Sequence, residues 1–190
     1  MVLYVHKGKE HKGIAGESLI KKALADYSSG MYDDALIKRG EYGKPYFEQI
    51  PVCFSISHSG EIWVCLMADF NVGIDIQRYK QLKYEKVARR FFHKNEVEFI
   101  KEQGIDAFFQ VWTRKEAFVK YTGKGFANEG FSNFSVVNQD NENYFLKPNI
   151  EEAYFQEIEL KLEELNLHGE TKLAGVACTK LKEPIIIKRI

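Results

Sequence analysis

In the segment Gly73-Ile74-Asp75-Ile76-Gln77 a carboxylate and a carboxamide stand two residues apart in a short apolar run. On a strand such side chains leave the same face about 7 Å apart, while Ile74 and Ile76 take the other face. A carboxylate buried among Val and Ile is costly unless something pairs with it. A hard divalent cation held by Asp75, the amide oxygen of Gln77 and a carboxylate from elsewhere, such as Glu116, would satisfy it. A surface edge strand carrying two polar residues would need no such partner. Further along, Trp112, Glu116 and Lys120 stand at i, i+4 and i+8, which makes them one ridge of a helix. Phe108, Val111, Ala117 and Phe118 already supply a core face, so the ridge is free to line a cleft. The alternative is an exposed Glu116–Lys120 ion pair, worth about 0.3–0.5 kcal/mol of helix support.

His58 lies in Phe54-Ser55-Ile56-Ser57-His58-Ser59-Gly60, at a strand end where small hydroxyls and backbone N–H groups can receive a phosphate. A plain turn histidine is the simpler alternative. Ser57, His58 and Asp75 do not make a serine hydrolase, because no G-x-S-x-G elbow accompanies them. Gly123-Lys124-Gly125 lacks the upstream glycine and the following hydroxyl of a nucleotide-hydrolysing loop.

The elements that must position these residues follow from periodicity. A strand is expected over 2–5, and a helix over 16–27 with Leu19, Ile20, Ala23 and Leu24 at helical spacing. A loop around Gly40 and Gly43-Lys44-Pro45 leads to a hairpin of strands 53–57 and 62–68, then to a strand over 72–77. Helices are expected over 84–92, from about 93–95 with a capping box formed by Asn95 and Glu98, and over 106–121 stopped by Gly123. Strands follow over 134–137, 143–146, 172–179 and 184–190, with 155–162 readable as strand or helix. This pattern is α+β: two pseudo-symmetric lobes, residues 1–80 and 81–190, each a mostly antiparallel sheet packed with helices.

The 190 residues, 45% of them apolar, suffice for a core that buries roughly 70% of the extended chain's surface. With 27 basic residues against 27 acidic ones the chain has no excess charge for a general nucleic-acid coat. Cys53, Cys65 and Cys178 form no close pair and read as free thiols of a reducing compartment. The longest apolar run, 62–68, is far too short to span a bilayer, and no signal peptide is evident, so a cytoplasmic protein is expected. Charge is nevertheless segregated. Residues 78–94 hold seven basic side chains against Glu85 alone, and 140–170 hold nine acids against Lys147 and Lys161. Each run is either a solvated face or, for the basic one, a dock for an acidic partner.

Taken in order, Gly43-Lys44-Pro45, the Phe54–Gly60 segment, Gly73-Ile74-Asp75-Ile76, and Trp112-Thr113-Arg114-Lys115-Glu116-Ala117-Phe118-Val119-Lys120 with Gly123-Lys124-Gly125 resemble the 4'-phosphopantetheinyl transferase superfamily, of the monomeric surfactin-synthetase-activating type. The resemblance implies coenzyme A and Mg²⁺ in a cleft between two lobes. The phosphopantetheine arm would move to a serine of an apo acyl or peptidyl carrier protein, releasing adenosine 3',5'-bisphosphate, with no nucleic acid and no membrane involved. It further implies Asp75 and Glu116 as metal ligands, Glu116 as base for the carrier serine, and Lys120 as a phosphate contact that protonates the leaving group. His58 and Ser57 match phosphate contacts, Lys44 and Pro45 match the segment lining the adenine, and Lys12 matches the basic residue that meets the 3'-phosphate.

Two departures stand out. Gln77 occupies a position where many relatives carry a second carboxylate, and the short stretch before the first helix offers only Lys7 and Lys9 for early basic residues. A carrier-binding or acidic-partner-binding module that keeps the fold without catalysis would tolerate Gln77, but has no need of Glu116 and Lys120 together.

Overall fold

The structure is a computed structural model that describes residues 1–125, 130–140, 143–145, 153–160 and 172–190. The chain begins with strand β1 (Val2–Lys7) and helix α1 (Gly13–Ser28), then a small hairpin of β2 (Ile37–Arg39) and β3 (Pro45–Phe47). Strands β4 (Cys53–Ser59), β5 (Ile62–Ala68) and β6 (Val72–Arg78) precede three helices, α2 (Tyr84–Phe91), α3 (Lys94–Gln103) and α4 (Ile105–Thr122). After them come β7 (Asn138–Asp140), β8 (Asn143–Phe145), β9 (Tyr154–Glu157), β10 (Leu173–Thr179) and β11 (Ile186–Arg189). The architecture is α+β, as the periodicity implied.

Two sheets carry the core. One has the order β11-β1-β5-β4 and the other β6-β10-β9. All pairings within them are antiparallel except β1 with β11. Leu3, Val5, Val64 and Leu66 of the first sheet meet Ile74, Ile76 and Ala177 of the second in one buried cluster. The opposite face of the first sheet, with Tyr4, Trp63, Cys65 and Met67, is covered by Ile20, Ala23 and Leu24 of α1. Helix α4 covers the second sheet through Ala117 and Phe118, against Val176 and Cys178.

Expectation and structure part at three places. Residues 37–39 and 45–47 pair as β2 and β3 around a turn closed by Gly40 N–H to Lys44 O and Gly43 N–H to Gly40 O, both 2.9 Å. Residues 134–137 are not a strand, because their backbone is satisfied by side chains instead. Phe134 O accepts from Lys115 Nζ, Val136 N–H donates to Glu96 Oε1, and Ser135 Oγ bridges both polar groups of Val137. The cap of α3 is His93 with Glu96: Asn95 N–H donates to His93 Nδ1, and His93 N–H donates to Glu96 Oε2. Parts of the expected segments 143–146 and 155–162, and most of the acidic run 140–170, lie outside the described residues.

Glu96 and Lys115 form a wholly buried ion pair at 2.9 Å. Lys115 Nζ also donates to Phe131 O and sits 4.0 Å from the Phe134 ring centroid. Burial drives the Lys115 ammonium down to about 8 and the Glu96 carboxyl upward, while their mutual attraction and the added hydrogen bonds offset that cost. The pair anchors the middle of α4 to α3 and to the 131–136 segment, one residue from Glu116.

Candidate active site

Asp75 projects from β6 toward α4, opposite the core-facing Ile74 and Ile76, and is 5% exposed. Gly73 lets the helix come this close. A Cβ there would lie 2.0 Å from Ala117 O and 2.6 Å from Tyr121 N, both backbone atoms of α4. Across this tight contact Lys120 Nζ donates to Asp75 Oδ1 at 2.7 Å, and Ser57 Oγ donates to the same oxygen at 2.7 Å. Burial holds the Asp75 carboxyl above the usual carboxylate range, outweighing the pull of Lys120, Ser57 and the Ile76 N–H.

The ridge of α4 does face a cleft. Trp112, Glu116 and Lys120 line a space of about 390 Å³ together with His58, Asp75 and Gln77. Lys120 forms its ion pair across the cleft with Asp75, the partner that decides between the two readings of the ridge. Burial first, and then the nearby Asp75, push the Glu116 carboxyl up to about 7. A carboxyl in that range exchanges protons near neutrality, which suits a general base. Gln77 bonds through Nε2 to Ser59 Oγ at 3.2 Å and to Arg78 O at 3.1 Å.

Two residues of this cleft gave no signal in the sequence. His11 is buried, its ring centroid 4.6 Å from that of His58, with Nδ1 3.1 Å from Gly8 O. Trp63, paired with His58 across β4 and β5, buries an indole N–H that has no hydrogen-bond partner among the described residues. Burial above all, then His11, Lys12 and Lys120, lowers the His58 imidazole against the opposing pull of Asp75. Lys12 is the exposed N-cap residue of α1, beside this end of the cleft.

A second recess of about 310 Å³ shares Ile56, Glu116 and Lys120 with the first and is otherwise walled by Arg39, Tyr42, Lys44, Pro45, Ser55 and Val119, with Gly43, Gly123 and Gly125. Pro45 and the stem of Lys44 line it, but the Lys44 ammonium turns inward. It donates to Asn71 Oδ1 at 2.7 Å, Val72 O at 3.1 Å and Tyr121 O at 3.2 Å, tying the last turn of α4 to the start of β6. Burial drives this ammonium down to about 8. The hairpin β2–β3 supplies Arg39, Tyr42 and Lys44; Gly40, Gly43 and Pro45 are turn residues, so the sequence of this stretch reads as a loop.

Among the described residues no group of three or more His, Cys, Asp and Glu side chains is placed to hold a metal ion. The oxygen donors facing the cleft are the carboxylates of Asp75 and Glu116 and the amide of Gln77. That set is too small for an all-protein cage and of the kind that binds Mg²⁺ together with substrate phosphates. No helix among the described residues is long and apolar enough to cross a membrane.

Residues 71–177, which include β6, α4 and β10, match the family model of the 4'-phosphopantetheinyl transferase superfamily. The 4'-phosphopantetheinyl transferase Sfp of Bacillus subtilis is 32% identical over 145 residues, 73% of this chain and 64% of that protein. The 4'-phosphopantetheinyl transferase gsp of Aneurinibacillus migulanus is 36% identical over 128 residues, 65% of this chain and 53% of its own length. A further 4'-phosphopantetheinyl transferase of Bacillus subtilis is 38% identical over 129 residues, 64% and 56% of the two chains. The aligned residues thus span between half and two thirds of these relatives. With the family match covering more than half its length, and the matched segment supplying Asp75, Gln77, Trp112, Glu116 and Lys120, the chain belongs to the 4'-phosphopantetheinyl transferase superfamily.

Proposed function

We propose that this protein transfers the 4'-phosphopantetheine arm of coenzyme A to a serine hydroxyl of an apo acyl or peptidyl carrier protein. The observation that carries this reading is Glu116, a carboxyl raised to about 7 at the junction of two recesses, beside the Asp75–Lys120 pair.

In the proposed reaction the carrier serine oxygen attacks the phosphorus nearer the pantetheine. The phosphorus–oxygen bond to adenosine 3',5'-bisphosphate breaks, and the serine proton passes to Glu116. Lys120 stabilises charge developing on the leaving phosphate and supplies it with a proton. His58 donates a hydrogen bond to a phosphate oxygen, with the His11 ring packed beside it. At the same end Lys12 stands ready for the 3'-phosphate. Pro45 and the Lys44 stem line the adenine. Asp75 and Glu116, with the Gln77 amide, would hold Mg²⁺, which neutralises pyrophosphate charge when bound. The protein acts as a cytoplasmic monomer.

Incubation with coenzyme A, Mg²⁺ and a panel of apo carrier proteins, read by intact mass, tests this directly. The expected result is a carrier heavier by one phosphopantetheine, with equimolar adenosine 3',5'-bisphosphate. Tight carrier binding with no mass change would instead favour the non-catalytic module.

A further inference from the structure

The edge of β6 away from β10 is closed by serine hydroxyls. Ser55, Ser57 and Ser59 alternate along β4 on the face turned to the second sheet, and all three are buried. Each accepts from every second N–H of β6. Ile74 N–H reaches Ser55 Oγ at 3.2 Å, Ile76 N–H reaches Ser57 Oγ at 3.2 Å, and Arg78 N–H reaches Ser59 Oγ at 2.8 Å. Buried backbone donors need acceptors, and these hydroxyls stand where a neighbouring strand's carbonyls would be.

The same hydroxyls also meet the side chain one residue earlier. Ser57 donates to Asp75 Oδ1, and Ser59 accepts from Gln77 Nε2. At Ser55 the corresponding residue is Gly73, which has no side chain. A hydroxyl carries one proton and two lone pairs, so Ser57 spends its proton on Asp75 and a lone pair on Ile76. Arg78 O can only accept, which fixes the Gln77 group facing it as Nε2 and leaves Oε1 to the cleft. Asp75 Oδ1 is likewise taken by Ser57 and Lys120, leaving Oδ2.

We propose that Ser57 and Ser59 are positioning residues: this serine ladder sets the register of β4 against β6 and turns one oxygen each of Asp75 and Gln77 toward a divalent cation arriving with a pyrophosphate substrate. The proposal rests on the transfer function above and gives Ser57 an indirect role, since its hydroxyl is committed to Asp75 rather than offered to phosphate. Outer partners of this kind typically govern about 10–100-fold in metal affinity.

Ser55→Ala is the matched control, because it removes the same kind of N–H acceptor with no side chain to orient; since Ser55 also lines the second recess, Mn²⁺ is titrated at saturating coenzyme A. Mn²⁺ binding in the presence of coenzyme A, followed by electron paramagnetic resonance, should weaken about tenfold in Ser57→Ala. It should return to within about twofold of wild type in Ser57→Thr, which keeps the hydroxyl. Ser55→Ala should bind Mn²⁺ as wild type does while its melting temperature falls, by less than that of Ser57→Ala, which loses the Asp75 bond as well. In metal-free protein the Gln77 side-chain amide proton directed at Ser59 should lose its exchange protection in Ser59→Ala, whereas both amide protons keep theirs in Ser55→Ala. Equal Mn²⁺ affinity in Ser57→Ala and Ser55→Ala, or an unmoved Gln77 amide in Ser59→Ala, overturns the proposal. A wild-type protein that binds no Mn²⁺ with coenzyme A rejects the cation reading of the cleft, and the Gln77 amide then decides the ladder by itself.

Discussion

Lys120 Nζ lies 2.7 Å from Asp75 Oδ1, an ion pair between residues 45 positions apart that joins helix α4 to strand β6. Asp75 is buried and Lys120 partly so, and α4 and β6 supply the facing walls of the cleft. Removing the cation leaves a carboxylate in a low-dielectric site with Ser57 Oγ as its remaining hydrogen-bond donor among the described residues. Lys120→Ala should cost about 1.5–3 kcal/mol of stability, the worth of a hydrogen bond to a charged group. Adding Asp75→Asn should recover part of that loss, because the uncompensated charge is then gone. Transfer should fall about 10²–10³-fold in kcat for Lys120→Ala. Chemical denaturation of the single and double variants, set beside steady-state rates, checks both; a double variant no more stable than Lys120→Ala would show that the ion pair is not what holds Asp75.

Glu116 makes a pH-dependent prediction. Its carboxyl moves from the ordinary 4.5 to about 7 on folding, so between those values the folded protein holds a proton that the unfolded chain has released. Stability from this group therefore falls as pH rises through that window and is level above about pH 7. Glu116→Gln carries no such charge. In chelator its melting temperature should match wild type near pH 4.5 and exceed it at pH 8, at about 2–4 °C per kcal/mol for a chain of this size. Its transfer activity should be lost at every pH. A gain in melting temperature that is the same at both pH values would mean that burial of the charge is not its source.

Gly73→Ala tests the close approach of α4 to β6. The added methyl would collide with Ala117 O and Tyr121 N, backbone atoms that cannot rotate away. The helix must shift, carrying Glu116 and Lys120 with it, and overpacking of this kind costs about 1–3 kcal/mol or more. Transfer should fall by more than stability alone explains, since a displacement of about 1 Å at reacting groups can cost about 10²-fold. Full activity at a temperature where the variant is folded would argue that the cleft tolerates a wider gap.

Local spacing revealed much of this site, and the limits of that reading have a physical origin. Periods of two and of three to four residues showed that Asp75 and Gln77 share a strand face and that Trp112, Glu116 and Lys120 share a helix ridge. They could not show that Lys120 reaches Asp75 rather than Glu116, because that contact depends on how two elements pack. For the same reason the spacing of Asn95 and Glu98 resembled a capping box, whereas the cap is formed by His93 and Glu96 and is stabilised by the buried Lys115, far along the chain. Lys44 was legible as part of a motif, but its inward ammonium, held by Asn71, Val72 and Tyr121, was not. Residues 134–137 have strand composition, and side chains from α3 and α4 satisfy their backbone before another strand can.

The basic run 78–94 carries the last prediction. Lys80, Lys83, Lys86, Arg89, Arg90 and Lys94 are all exposed, on the stretch that leaves β6 directly after Asp75 and Gln77. Arg89 is partly neutralised by Glu85, 2.9 Å away at i, i+4, and Arg90 lies over the Phe91 ring at 5.2 Å. If an acidic carrier brings its serine to Glu116, it passes these charges, which act mainly on association and salt dependence. Their reach is about 8 Å at 0.15 M salt. Lys86→Glu with Arg90→Glu leaves the Arg89–Glu85 pair in place and exchanges one like-charged i, i+4 pair on α2 for another, so repulsion along the helix is little changed. This variant should raise the Michaelis constant for carrier about tenfold at low salt and flatten its salt dependence, with the constant for coenzyme A nearly unchanged. A loss confined to coenzyme A would assign the run to the nucleotide phosphates, and no change in either constant would leave it a solvated face.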